Sequence, residues 1–340
     1  MTEPLLSVRN LTVELFLEGG WRSAVAGVSF DLEAGESLAV VGESGCGKTL
    51  LARALVNLAP EQARVSGSVV WQGRDLLGLP EDAWRGIRGR RIALVFQEPG
   101  AALDPVRTIG DQIIEAIRLH RSVSREDARE MARGLLMEVS LPDPEGSLAQ
   151  YPHRLSGGQK QRAFLAMALA ADPAVLIADE PTTALDATVS AQVLELLDRL
   201  RKGRGLALLL ITHDLGSVAR HSDRVLVLYA GRVVEQAPTP VLFRRPSHPY
   251  TRGLLGCALR VGADDLRGGR RLRTIAGAIP DLASRPEGGC SFASRCPELF
   301  EPCEGREPSL YEVGAARARC FLYEAGTRDG MPPAESPQEP

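Results

Sequence analysis

Apolar and polar residues alternate in Leu6-Ser-Val-Arg-Asn-Leu-Thr-Val13 and again from Val25 to Leu32. A period of two marks half-buried strands, so these segments predict an antiparallel β-layer, which Gly67-Ser-Val-Val-Trp71 joins after an intervening helix. The pattern then changes. Glu36-Ser-Leu-Ala-Val-Val41, Ile92-Ala-Leu-Val-Phe96, Ala174-Val-Leu-Ile-Ala178 and Leu206 to Ile211 are short, continuous apolar runs, as expected of parallel strands buried on both faces. Helical stretches lie between them at Lys48 to Leu58, Arg125 to Val139, Gln159 to Ala171 and Ser190 to Lys202. Val225 to Glu235 reads as a hairpin turning at Ala230-Gly231. The core is therefore α/β. Polar residues end the buried runs, with Gln97, Asp179-Glu180 and His213 each placed where such sheets bind ligands.

The chain of 340 residues is 44% hydrophobic and 24% charged, enough for one large domain and a smaller one. Beyond about Pro246 the composition turns rich in Arg, Gly and Pro. The expected division is a large domain over 1–245 with a helical part over roughly 98–165, a C-terminal extension over 246–325, and an acidic, Pro-rich disordered tail over 326–340. A net charge of -3 gives no case for bulk binding to nucleic acid. No apolar run spans a membrane and no export signal is read at Met1-Thr-Glu-Pro-Leu5, so a membrane role is expected to run through partner proteins.

Gly42-Glu43-Ser44-Gly45-Cys46-Gly47-Lys48-Thr49 fits G-x-x-x-x-G-K-[ST] between a buried strand and a helix. In that setting backbone N–H groups curl around phosphate oxygens, Lys48 supplies a point charge and Thr49 a hydroxyl for magnesium. The chain has 40 Lys and Arg together but only three lysines, and it places one here, where a compact ammonium suits the phosphates. Cys46 fills a variable slot of the loop. Asp179 and Glu180 then suit a magnesium-ordering acid and a carboxylate that polarises attacking water, while His213 and Gln97 can orient that water and the γ-phosphate. A second phosphate-handling segment, Leu155-Ser156-Gly157-Gly158-Gln159, offers a hydroxyl, amides and a helix dipole about a hundred residues away.

With these features the chain resembles the ATP-binding cassette family and is identified as a nucleotide-binding subunit of it. The resemblance implies a P-loop NTPase of RecA-like core with an antiparallel β subdomain and an α-helical subdomain. It implies that Asp179 serves magnesium together with Thr49 and Gln97, that Glu180 is the catalytic carboxylate, and that His213 is the switch histidine. It also implies that Ser156, Gly157, Gly158 and Gln159 complete the ATP site of an opposing subunit, with Ala184-Leu185-Asp186 coupling the two sites. The family's adenine-stacking aromatic falls near Leu15 by spacing, which leaves Phe16 or Trp21 for that task.

Gln97-Glu-Pro-Gly-Ala-Ala-Leu-Asp-Pro105, Ile109-Gly-Asp-Gln-Ile113 and His248-Pro-Tyr-Thr-Arg-Gly-Leu-Leu255 resemble the dipeptide and oligopeptide importer subgroup. The resemblance implies an ATPase driving peptide import from the cytoplasmic face of the membrane. Its implied partners are a homologous ATPase subunit, two permease subunits and an extracytoplasmic binding protein. Nickel, glutathione or another small solute is an alternative cargo. A soluble non-transport cassette ATPase is the alternative of another class. Cys290, Cys296, Cys303 and Cys320 crowd the extension, and Cys290-Ser-Phe-Ala-Ser-Arg-Cys-Pro297 resembles a 4Fe-4S segment of that subgroup. Zinc or reduced thiols are the other readings. A cluster is expected to tie together an extension with too little core of its own, and Arg295 either offsets its charge or is simply solvated.

Overall fold

A computed structural model of the chain describes residues 3–97, 99–258, 275–285 and 288–325. The expected tail over 326–340 lies outside the described residues. Two sheets form the frame. The antiparallel layer has Leu6–Leu17 at its centre, flanked by Gly20–Leu32 on one side and Arg64–Trp71 on the other, with Arg74–Asp75 beyond. The inward side chains of the two long strands, Leu6, Val8, Leu11, Val13, Val25 and Val28, are fully buried, with register shifts breaking strict alternation after Val8. The strands run several residues past the alternating segments, because the hairpin continues through Phe16 opposite Trp21.

The second sheet has eight strands. From one edge they are Tyr311–Val313, Ala316–Ala318, Arg232–Pro238, Arg224–Tyr229, Ser37–Val41, Ala207–Thr212, Val175–Asp179 and Ile92–Val95. The last four run parallel to one another and to Arg224–Tyr229. Val175–Asp179 and Ala207–Thr212 are buried along their whole length, which is why their sequences are apolar without alternation. Parallel order brings the ends of these strands, with the polar residues that follow them, to one edge of the sheet.

A helical cluster is built on Ile109–His120, Arg125–Glu138, Pro144–Leu148 and Gly157–Ala168. Ile113, Ile117, Leu136, Leu148 and Phe164 pack with Val95, Leu176 and Leu208 of the main sheet in one continuous core. Among the described residues no helix is long and apolar enough to cross a membrane.

The residues after Pro246 do not stand apart from the main sheet. Ala316–Ala318 pairs antiparallel with Arg232–Pro238, and Tyr311–Val313 closes the edge as a short hairpin. Tyr250 and Phe292 enter a core with Val227, Tyr229 and Val234, their rings meeting Tyr229 at centroid distances of 4.7 and 5.1 Å. Glu235, with no exposed surface, accepts the Ser247 and His248 amide hydrogens at 2.7 and 2.8 Å. Burial raises its pKa, and these two bonds partly offset the effect.

Candidate functional site

The phosphate loop leaves the Ser37–Val41 strand and enters the helix Lys48–Leu55. The hairpin turn after Tyr229 fixes it from below: Gly231 donates its amide hydrogen to the Cys46 carbonyl, and Ala26 donates to that of Gly231, both at 2.8 Å. Gly42 is required by a close approach, since a Cβ there would lie 2.2 Å from the Leu228 carbonyl oxygen. Lys48 is 5% exposed. Its Nζ donates to the Gly42 and Glu43 carbonyls at 2.8 and 3.1 Å and stands 3.8 Å from Glu180 Oε1. Ser44 and Gly45 are exposed at the mouth of the loop, whereas Cys46 is wholly buried.

The strand-end residues converge on the Glu180 carboxylate. Gln97 Nε2 donates to Glu180 Oε2 at 3.3 Å, Thr183 Oγ1 donates to it at 2.8 Å, and His213 Nδ1 lies 3.4 Å away. Glu180 thus joins the loop lysine to residues following three different strands. Its backbone φ of 45° is in the left-handed region, sparsely populated by residues with a side chain, and its amide hydrogen bonds the Ile211 carbonyl at 2.9 Å. Such geometry costs about 1–3 kcal/mol and persists only where surrounding contacts hold it.

Asp179 is 2% exposed. Burial raises its pKa, opposed first by a hydrogen bond from the Thr49 side chain. Its Oδ1 is buried without a hydrogen-bond partner. An orphaned carboxylate oxygen beside a threonine hydroxyl is a donor set for a hard, oxygen-preferring cation, so these residues fit magnesium.

The second segment expected to handle phosphate lies elsewhere. Ser156 and Gly157 are exposed at the start of the helix Gly157–Ala168. Ser156 Oγ accepts the Gln159 amide hydrogen at 3.3 Å and Gln159 Oε1 accepts that of Ser156 at 2.8 Å, forming a capping box. Gly158 answers to packing, because a Cβ there would sit 2.6 Å from Val189 Cγ1. Among the described residues no hydrogen bond or ion pair joins this segment to the phosphate loop. At the far hairpin, Phe16 is 64% exposed and meets Trp21 edge-on at 5.4 Å, while Arg64 covers the Trp21 ring at 3.8 Å. Phe16 therefore keeps more ring surface free than Trp21.

Comparison with known proteins completes the picture. A family profile for ABC transporters matches residues 25–183. A second profile, for the C-terminal region of oligopeptide and dipeptide transporters, matches residues 234–303. A probable peptide ABC transporter ATP-binding protein of Sinorhizobium fredii is 48% identical over 318 residues, which is 92% of this chain and 93% of that protein. The chain belongs to the ATP-binding subunits of ABC transporters. A dipeptide transport ATP-binding protein of Bacillus subtilis is 47% identical over 89% of each chain. Among solved structures, a dimeric ATP-binding cassette bound to ADP and Pi superposes with a TM-score of 0.62 at 27% identity, covering 69% of this chain and 98% of that one. The chain is thus an ABC ATPase, and its α/β fold of a mixed sheet, an antiparallel layer and a helical cluster is that of the family.

In the extension one expectation goes unsupported and another changes. Among the described residues no group of three or more His, Cys, Asp or Glu side chains is placed to hold a metal ion. The 4Fe-4S cluster expected at Cys290, Cys296, Cys303 and Cys320 therefore finds no support there, and all four are free thiols. Burial raises the thiols of Cys290, of Cys296 to about 11 and of Cys320 to about 12, with the neighbouring cysteines adding to each. The ground for expecting a structural cluster also weakens, because the extension shares the ATPase core instead of lacking one. Arg295 is not solvated, and its charge is met by an acid of the phosphate loop. Its side chain is 5% exposed and its fork grips Glu43 of the phosphate loop at 3.0 and 3.2 Å. The sequence held a faint signal for this pairing, an acidic residue in a phosphate-binding loop, which calls for a cation nearby.

Proposed function

We propose that this chain hydrolyses ATP to power import of dipeptides or oligopeptides through a membrane permease, paired with a homologous ATPase subunit on the cytoplasmic face and supplied by an extracytoplasmic binding protein. The observation that carries the cargo class is the near full-length identity to peptide transporter ATP-binding proteins, with the peptide-transporter C-terminal profile extending over 234–303.

On this reading Gly42 to Thr49 take the phosphates of ATP on the loop amides and the Lys48 ammonium. Asp179, Thr49 and Gln97 would hold magnesium, which when bound supplies neutralisation of the phosphate charge. Glu180 draws a proton from the attacking water, Gln97 and Thr183 fix the carboxylate, and His213 donates toward the γ-phosphate. Ser156 and the amides of Gly157 and Gly158 serve the partner's nucleotide, the first two residues lying exposed, so ATP is bound between two subunits. Phe16 is the residue for adenine. Purified with its permease in vesicles, the complex should take up labelled peptide only with ATP inside. Uptake of nickel or glutathione with no response to peptide would overturn the cargo assignment.

We extend the proposal to the four cysteines as ligands of a 4Fe-4S group. What supports it is the Cys290 to Pro297 segment and the closeness of Cys320 to the other three, whose charges each push its thiol up. Protein purified without oxygen should carry about four irons and an equal amount of acid-labile sulfide per chain. Iron-free protein under those conditions would end this reading.

A further inference from the structure

Three side chains of the C-terminal extension hold the phosphate loop. Arg295 makes a bidentate pair with Glu43, from Nη1 to Oε2 at 3.0 Å and from Nη2 to Oε1 at 3.2 Å. Its remaining donors are spent on the Ala276 and Gly277 carbonyls at 2.8 and 3.2 Å, with Tyr229 Oη at 3.4 Å and the Ile275 carbonyl at 3.5 Å. Tyr250 Oη accepts the Glu43 amide hydrogen at 3.0 Å. Arg285 donates from Nη2 to the Gly45 carbonyl at 3.3 Å, and from Nη1 to the Ser23 and Ala24 carbonyls at 3.3 and 3.2 Å.

The loop needs this help for an electrostatic reason. Glu43 carries a carboxylate within a loop whose task is to receive polyphosphate, and a free anion there would repel the ligand. A buried guanidinium fork neutralises it and fixes its direction at once. Gly45 is open to solvent and has no side chain of its own to hold it, so the Arg285 bond to its carbonyl limits which way its peptide faces.

We propose that Arg295, Arg285 and Tyr250 are positioning residues for ATP binding, through which the C-terminal extension presets the phosphate loop in cis. The inference rests on the reading of Gly42 to Thr49 as the ATP site. It adds a second task for the extension: whatever shifts the Cys290 to Cys296 turn, within which Arg295 lies, also shifts nucleotide affinity.

The test measures KM and kcat for ATP, and the Kd of a fluorescent ATP analogue, on full-length chain. Arg295→Ala should raise KM and Kd about tenfold with kcat changed less than about twofold. Adding Glu43→Gln to that variant should restore most of the affinity, because the uncovered anion is gone. A purely structural role predicts a double variant no better than Arg295→Ala, and that result would overturn the proposal. Should Arg295→Ala fail to fold, Arg295→Lys and Tyr250→Phe keep the bulk and decide the matter. Each is expected to raise KM about threefold at constant kcat, and unchanged KM in both refutes positioning. Lys48→Ala is the control for the underlying reading. If it still binds ATP the site itself is misassigned, whereas loss of binding there with no effect at Arg295 or Tyr250 disproves only the preset loop.

Discussion

Glu180 sits where three requirements meet: it follows a buried strand, it must reach toward Lys48, and it must meet Gln97, Thr183 and His213. The left-handed backbone at φ 45° satisfies them by turning the chain sharply after Asp179, and Thr183 Oγ1 and Gln97 Nε2 hold the carboxylate once it is there. Glu180→Gln keeps the shape and removes the basic oxygen. It should lower the steady-state ATPase rate by about 100-fold or more while ATP-dependent dimers accumulate on size exclusion. Asp179 makes a different prediction, because burial raises its pKa from the ordinary 3.8. A carboxylate raised on folding stabilises the fold below its unfolded pKa and loses that contribution as pH rises through the folded value. Charged Asp179 is therefore a cost at neutral pH in the absence of a cation. Asp179→Asn should raise the melting temperature of nucleotide-free protein at pH 7, with the gain vanishing as pH falls toward the unfolded range, while magnesium-dependent ATP binding is lost.

At the helix Gly157–Ala168 the side chain that caps the element is also the one proposed to meet the partner's nucleotide. Ser156 caps it, so Ser156→Ala should cost about 1 kcal/mol of stability in denaturant titrations. Ser156→Asp caps equally well but brings a negative charge to the helix start. It is expected to melt like wild type and yet fail to form ATP-dependent dimers, which separates capping from nucleotide contact. A Ser156→Asp chain that still dimerises with ATP would show the hydroxyl to be a cap alone. Elements of this kind were legible because their signals are local: a serine, a glycine pair and the start of a helix within four residues. The buried strands were equally plain from their apolar runs, and the Ala230-Gly231 turn from its length. The helices Ile109–His120 and Pro249–Ala258 were not assigned as helices, the first opening in a Pro-punctuated stretch and the second on His248-Pro249. The steric need for Gly158 was also hidden, since it depends on Val189, which the helix Ala187–Arg204 places beside it.

At the scale of the molecule, the least legible feature was the union of extension and ATPase core. It depends on residues more than two hundred positions apart, such as Glu43 with Arg295, and no local pattern announces a pairing of that range. Composition favours a separate module after Pro246, yet sheet pairing, the Tyr229–Tyr250–Phe292 cluster and the buried Glu235 carboxylate make the two parts one folded body. Phe292 is the residue to test, being 2% exposed and in ring contact with Tyr229, Tyr250 and His248. Phe292→Ala should remove about 3–5 kcal/mol of core packing. If the extension were an independent module, that loss would fall on it alone, and ATP binding and core unfolding would stay as they were. Continuity of the core predicts otherwise. Unfolding followed at Trp84, buried in the ATPase core, should shift to lower denaturant together with protease cleavage after Arg295, and ATP affinity should fall in step as the grip on Glu43 loosens. Shifts confined to the cleavage site would separate the two parts and reduce the shared core to simple contact.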